Sequence, residues 1–200
     1  MSFLASQPVG VILAGGLGRR LGGSKATVKL NGRPLLTYAL GTLQQVLGIV
    51  VIVAKADSEL PSLPEVEVWM EPAEPRHPLT GIVHALGVAE GRPIVVCACD
   101  LPLVSAAVVA ELAAVDPHEA TAVIARSEGR LQPLLGRYQP EAMEPLSAAL
   151  EAGLAMVDAV TALGARPYDV ADPELLFNVN TPEDLLRAGA LLEAQPKVKS

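Results

Sequence analysis

The sequence predicts a three-layer α/β fold: a mainly parallel sheet with helices on both faces. Three observations carry that prediction. Short β-branched runs recur along the chain, longer stretches with helical spacing separate them, and the runs are apolar at nearly every position. A strand that does not alternate apolar with polar is buried on both faces, as parallel strands between helical layers are. With 200 residues, 50% of them apolar and 18% charged, the chain can bury a sizeable core within one domain.

The elements follow in order. Val9 to Leu13, Ile49 to Val53, Val66 to Met70, Ile94 to Cys97 and Thr121 to Ala125 read as buried strands. Between them, Leu35 to Val46, Leu79 to Ala89 and Ser105 to Ala114 carry apolar residues at helical spacing, with Ser105 as the N-cap of the third. Leu134 to Tyr138 follows, then helices near Glu141 to Leu150 and Met156 to Leu163, and a closing helix from Pro182 to Leu192. Thr181-Pro182-Glu183-Asp184 is a helix start, with Thr as cap, Pro in the first position and acids in the first turn. The proline-rich stretches Leu60 to Pro64 and Glu71 to Pro78 are loops within the fold, and the tail after Gln195 is expected to fray. We expect one domain over residues 1–200.

Composition excludes several function classes. Fifteen Lys and Arg against 22 Asp and Glu give a net charge of −7, a poor match for duplex DNA or anionic lipid. Aromatic residues supply 3%, too few for the stacking platforms of single-strand binding. The N-terminus, without a basic n-region or a long apolar stretch, reads as lacking a signal peptide, and no run approaches the ~20 apolar residues of a membrane span. Cys97 and Cys99 lie two apart in a strand, poor geometry for a disulfide, and lack the neighbours a zinc site needs. Buried thiols in a reducing cytoplasm are the expectation.

Chemistry concentrates after the first strand. Leu13-Ala14-Gly15-Gly16-Leu17-Gly18-Arg19-Arg20-Leu21-Gly22-Gly23-Ser24-Lys25 combines five glycines with three cations. Glycines let backbone amides approach an anion without a Cβ in the way, and the ends of parallel strands are where open α/β sheets bind ligands. The loop is not a P-loop, because Ser24 separates Gly23 from Lys25. It is not a dinucleotide fingerprint either, since Leu21 takes the third glycine's place and the second strand ends at Val53-Ala54-Lys55 without an acid. Its cations suit a triphosphate. Asp100 ends the fourth strand at the same edge, where a carboxylate can share Mg²⁺ with substrate phosphates or merely cap the following turn.

Three segments together resemble the molybdenum cofactor guanylyltransferases, of the glycosyltransferase-A-like nucleotidyltransferases with their Rossmann-like sheet. They are the Leu13 to Lys25 loop, Asp100-Leu101-Pro102, and Phe177-Asn178-Val179-Asn180-Thr181-Pro182-Glu183-Asp184-Leu185. Gln132-Pro133-Leu134-Leu135 before a Tyr-bearing strand end is also similar, and the likeness reaches Leu192. It implies that Leu13, Ala14, Gly15, Gly16 and Lys25 contact GTP, and that Asp100 binds both nucleotide and Mg²⁺. Glu71 falls where the family usually has a nucleotide-binding Asp, with a solvated loop acid as the alternative. Pro78-Leu79-Thr80-Gly81 resembles the segment beside the base, and Asn178 and Asn180 would hold the acceptor. Departures are Ser24 for a common Asp, Gly18 for a common Ser, and Ala54 where some members carry Asn.

The reaction implied is attack by the terminal phosphate of metal-bearing molybdopterin on the α-phosphorus of GTP, expelling pyrophosphate. Lys25 and Arg20 would offset charge on the triphosphate and Mg²⁺ at Asp100 would stabilise the transition state. Residues of about 8–102 would form the nucleotide half and about 103–194 the acceptor half. Proteins that supply or receive the cofactor are the implied partners. His77, His84 and His118 show no triad spacing, and His84 reads as structural. Arg126, Arg130 and Arg137 read as solvated surface arginines, with anion contacts as the alternative. A cytidylyltransferase or another small nucleotidyltransferase would keep the chemistry and change the substrate; a nucleotide-binding regulator would need no acid at the reacting phosphate.

Overall fold

The computed structural model describes residues 7–15, 21, 23–116 and 120–194. Its strands are β1 (Val9–Leu13), the short pair β2 (Lys29–Leu30) and β3 (Arg33–Pro34), β4 (Val50–Ala54), β5 (Glu67–Met70), β6 (Ile94–Ala98), β7 (Ala122–Ser127), β8 (Arg130–Tyr138) and β9 (Arg166–Asp169). The helices are α1 (Leu36–Gln44), α2 (Pro78–Val88), α3 (Ala106–Ala114), α4 (Met143–Glu151), α5 (Met156–Ala162) and α6 (Pro182–Ala194). A 3₁₀ turn at Pro140–Ala142 opens the region read as one helix from Glu141.

Seven strands form one sheet in the order β5-β4-β1-β6-β8-β7-β9, and β8 alone runs against the rest. The mainly parallel sheet expected from the apolar runs is thus present. Its reversal arises at the β7–β8 hairpin, where Ser127 faces Arg130 across Glu128 (φ 49°) and Gly129 (φ 75°). Two consecutive left-handed residues make the tight turn whose twist matches a right-twisted ribbon.

Period-two geometry divides the buried strand residues between the two faces. Ile12, Ile52, Val95 and Cys97 pack with Leu36, Leu40 and Leu43 of α1 and Val109 and Leu112 of α3. Val11, Val51, Val53 and Val96 pack on the other face with Leu79 and Ile82 of α2, Leu146 of α4 and Val160 of α5. Fully burying each such side chain contributes ~1.5–3 kcal/mol, so both layers are held mainly by aliphatic contact. Ser105 caps α3 as read, its Oγ accepting from the Val108 amide at 3.3 Å. A third cluster joins Leu30 and Leu35 to Val179 and Ala188, seating α6 against the β2–β3 hairpin. Among the described residues no helix is long and apolar enough to cross a membrane.

Candidate active site

Four neighbouring parallel strands, β5, β4, β1 and β6, finish at one edge, and the residues just beyond them meet there. The backbone joins these ends: Ala14 N donates to Val53 O, Glu71 N to Ala54 O, and Cys99 N to Leu13 O, at 2.9, 2.9 and 3.3 Å. Above them lies a cavity of about 360 Å³, lined among others by Leu13, Gly15, Lys25, Lys55, Glu71 and Asp100. That volume falls within the small-molecule range.

Lys25 is the hub of one side. Its Nζ lies 2.6 Å from Asp100 Oδ2 and 2.5 Å from Asn180 Oδ1. The Asn180 segment is fixed independently, because Val179 N donates to the Asp100 carbonyl at 3.0 Å. Asp184 Oδ2 accepts from the amides of Asn180 and Thr181, both at 2.9 Å, and Thr181 Oγ1 accepts from Asp184 N at 3.2 Å. This reciprocal cap starts α6 where the Thr-Pro-Glu-Asp pattern predicts. The other carboxylate oxygen, Asp100 Oδ1, is buried with no hydrogen-bond partner. Turn capping therefore does not explain Asp100: one oxygen faces Lys25 and the other is uncommitted.

Glu71 and Lys55 form the opposite wall. Their side chains are 7% and 5% exposed, and Lys55 Nζ lies 3.5 Å from Glu71 Oε1 while donating to the Pro72 carbonyl at 2.6 Å. Glu71 Oε2 is buried without a partner. Burial pushes the Glu71 carboxyl above its ordinary value, with Lys55 pulling the other way. Glu71 is thus no solvated loop acid. Two glycines make room for it: a Cβ at Gly15 would lie 3.1 Å from Oε1, and one at Gly81 would lie 3.0 Å from Oε2.

Residues 10–165 match the MobA-like NTP transferase domain. The chain belongs to that family. Relatives with curated names include a molybdenum cofactor guanylyltransferase of Rhizobium johnstonii, 34% identical to this chain and covering 94% of it and 95% of the relative. Another, from Cereibacter sphaeroides, bears the same name and is 34% identical over 92% of this chain and 96% of its own. A crystal structure described as molybdopterin-guanine dinucleotide biosynthesis protein A from Archaeoglobus fulgidus superposes with a TM-score of 0.80 at 27% identity, covering 92% of this chain and 98% of that one.

Within this MobA-like frame the structure brings Leu13, Gly15, Lys25, Glu71 and Asp100 to one cavity, with Asn180 joined through Lys25. Ala14 is 1% exposed at the base of the loop and packs into the core. Asn178 does not join them; its amide donates to the Leu176 carbonyl at 3.2 Å. Gly16, Arg20, His118 and the tail after Gln195 lie outside the described residues. Cys97 and Cys99 are free and buried as expected, and burial pushes the Cys99 thiol up to about 12. His84 lies half-buried in α2, and desolvation lowers its pKa. His77 caps α2, its Nδ1 accepting from Leu79 N at 3.2 Å.

One expectation is overturned. Arg137 is not a solvated arginine: it is 4% exposed, between Val95 and Val123 in the sheet, and donates to the Ala113 carbonyl in the last turn of α3. A buried cation there meets the negative end of the helix. Arg126 pairs with Asp169 through two bonds of 2.7 Å at the surface. Sequence reading missed Lys55. Its position right after an apolar strand at the ligand edge is the signal that could have found it.

Proposed function

We propose that this protein transfers GMP from GTP to the terminal phosphate of metal-bearing molybdopterin, releasing pyrophosphate and forming the guanine dinucleotide form of the molybdenum cofactor. The observation that carries the reading is the meeting of Lys25, Asp100 and Asn180, residues up to 155 apart in the chain. It occurs in a chain that matches named guanylyltransferases over nearly its whole length.

In this reading residues of about 8–102 hold the nucleotide and about 103–194 the acceptor, within one unit. Leu13, Ala14, Gly15 and Gly16 bring the first loop's backbone to the phosphates. Lys25 and Arg20 offset triphosphate charge, and Glu71 accepts from the base. Asn180, tied to Lys25, serves the acceptor, and Asn178, whose amide now donates to the Leu176 carbonyl, would have to turn to do so. An acceptor phosphate oxygen forms a bond to the α-phosphorus as the bond to the pyrophosphate oxygen breaks, a displacement that depends on in-line placement more than on proton transfer.

The donor set fits Mg²⁺. Asp100 Oδ1 is a buried carboxylate oxygen with no partner, and Mg²⁺ is commonly held by one or two carboxylates plus substrate phosphates. Among the described residues no group of three His, Cys, Asp or Glu could hold a metal alone, so the remaining ligands would come from phosphate and water. When bound, the ion would neutralise charge gathering on the transferred phosphoryl group.

The test is pyrophosphate release with Mg²⁺, metal-bearing molybdopterin and either GTP or CTP. GTP should be turned over at least ~10-fold better, a difference of about 1.4 kcal/mol. Chelation should stop the reaction, and Asp100→Asn should lose turnover while keeping a native circular dichroism spectrum. CTP turnover equal to GTP would promote a cytidylyltransferase, and no pyrophosphate from either nucleotide would leave a nucleotide-binding regulator.

A further inference from the structure

We propose that Lys55 is a specificity-determining positioning residue: it anchors one oxygen of Glu71 so that the other is presented to the edge of the bound base. The inference rests on the reading of Glu71 as the base acceptor. Lys55 follows β4 directly and is 5% exposed, unusual for a lysine lining a ligand cavity. Its Nζ sits between the Pro72 carbonyl at 2.6 Å and Glu71 Oε1 at 3.5 Å. Oε2 is the oxygen left buried and unpaired.

The geometry permits little else. Gly15 approaches Oε1 and Gly81 approaches Oε2, so the carboxylate is held in a slot with glycines on two sides. A buried carboxylate with neither cation nor donor is costly, and it would rotate toward any partner or take a proton. Lys55 blocks the rotation and partly opposes the protonation that burial favours. It offsets the charge and occupies Oε1, leaving one acceptor of fixed direction. Guanine offers adjacent N1–H and 2-amino donors to such an oxygen, whereas a base edge presenting an acceptor would leave it unpaired. Lys55 touches no substrate in this scheme and acts through Glu71.

The experiment compares binding of GTP with ITP, which lacks only the 2-amino group, by calorimetry in the intact chain. The wild type should prefer GTP by ~10-fold or more, the scale of one hydrogen bond to a charged group. Lys55→Met should bring the GTP:ITP ratio to about 1, within the ~2-fold scatter of such comparisons. In a Glu71→Gln background, Lys55→Met should change the ratio no further. A role in stability alone would weaken both nucleotides together and leave the ratio intact. Should Lys55→Met fail to fold, Lys55→Gln, which can still donate to the Pro72 carbonyl, carries the same comparison. A wild-type ratio retained in either variant overturns the role of Lys55 and leaves the Glu71 reading standing. A wild-type ratio near 1 overturns the Glu71 reading itself, and this proposal with it.

Discussion

Lys25 holds two partners from different segments of the chain, Asp100 and Asn180, and its ammonium keeps a third N–H for a phosphate. Lys25→Ala should therefore weaken GTP more than guanosine, by ~1.5–3 kcal/mol for the lost charged contact. Calorimetry with both ligands checks this; equal losses would mean that the lysine only shapes the loop. Glu71 predicts a pH effect. Its folded-state pKa is raised above the ordinary 4.5, chiefly by burial, so the folded chain holds this proton more tightly than the unfolded one. The stability it contributes is complete below 4.5 and is lost as pH rises through the raised value. Relative to Glu71→Gln, the wild type should thus lose stability with rising pH across that window, which urea midpoints at a series of pH values would reveal; a flat difference would refute it. At this scale the acids and Lys25 were legible because each ends a strand or a glycine-rich loop. Lys55 also follows a strand, at the ligand edge, but its burial, like that of Arg137 within β8, shows only in three-dimensional packing, since charged side chains are ordinarily solvated.

Gly81 sets two tendencies of α2 against each other. Alanine is favoured over glycine in a helix interior by ~1 kcal/mol. Yet a Cβ there would lie 2.9 Å from Leu13 Cδ2 and 3.0 Å from Glu71 Oε2. Both are side-chain tips that can yield by a few tenths of an ångström, so we expect Gly81→Ala to keep its melting temperature within a few degrees while losing GTP affinity through displacement of Glu71. Thermal unfolding and calorimetry on one sample decide it; unchanged affinity would mean that Glu71 has slack. Elements were legible where side chains settle the outcome. The runs that became β1, β4 and β6 are nearly continuous Val, Ile and Leu, and boundaries shifted by only a residue or so. By contrast β9 is Arg-Pro-Tyr-Asp, and β2 and β3 have two residues each, too short for any period. β8 starts at Arg130, four residues before the apolar run that betrayed it, because a tight turn rather than hydrophobicity sets its beginning.

Across the whole molecule, the site draws on a segment far in sequence from the loop that carries Lys25. Val179 N bonds the Asp100 carbonyl, Asn180 bonds Lys25, and α6 packs on the β2–β3 hairpin through Ala188 and Leu30. Removing residues 178–194 should leave the layers around the main sheet, whose helices α1 to α5 are untouched, but weaken GTP binding by at least ~10-fold. Retained circular dichroism with impaired calorimetric binding is the expected pair of results; undiminished binding would show that the closing segment serves only the acceptor. The mainly parallel layered plan was legible at this scale because buried strands and amphipathic helices alternate. The path by which β8 slips between β6 and β7 was not, since nothing in its side chains names its neighbours.

That path has a consequence for synthesis on the ribosome. β5, β4, β1 and β6 can pair as soon as residue 98 has emerged, whereas β7 reaches the sheet only through β8. Until β8 arrives, Ile94 to Cys97 form a bare, wholly apolar margin with unsatisfied amides and carbonyls. Such a margin templates pairing with other chains. A pause in translation between residues 98 and 138 is therefore the interval in which this protein is most exposed to intermolecular mispairing, and chaperone demand should peak there.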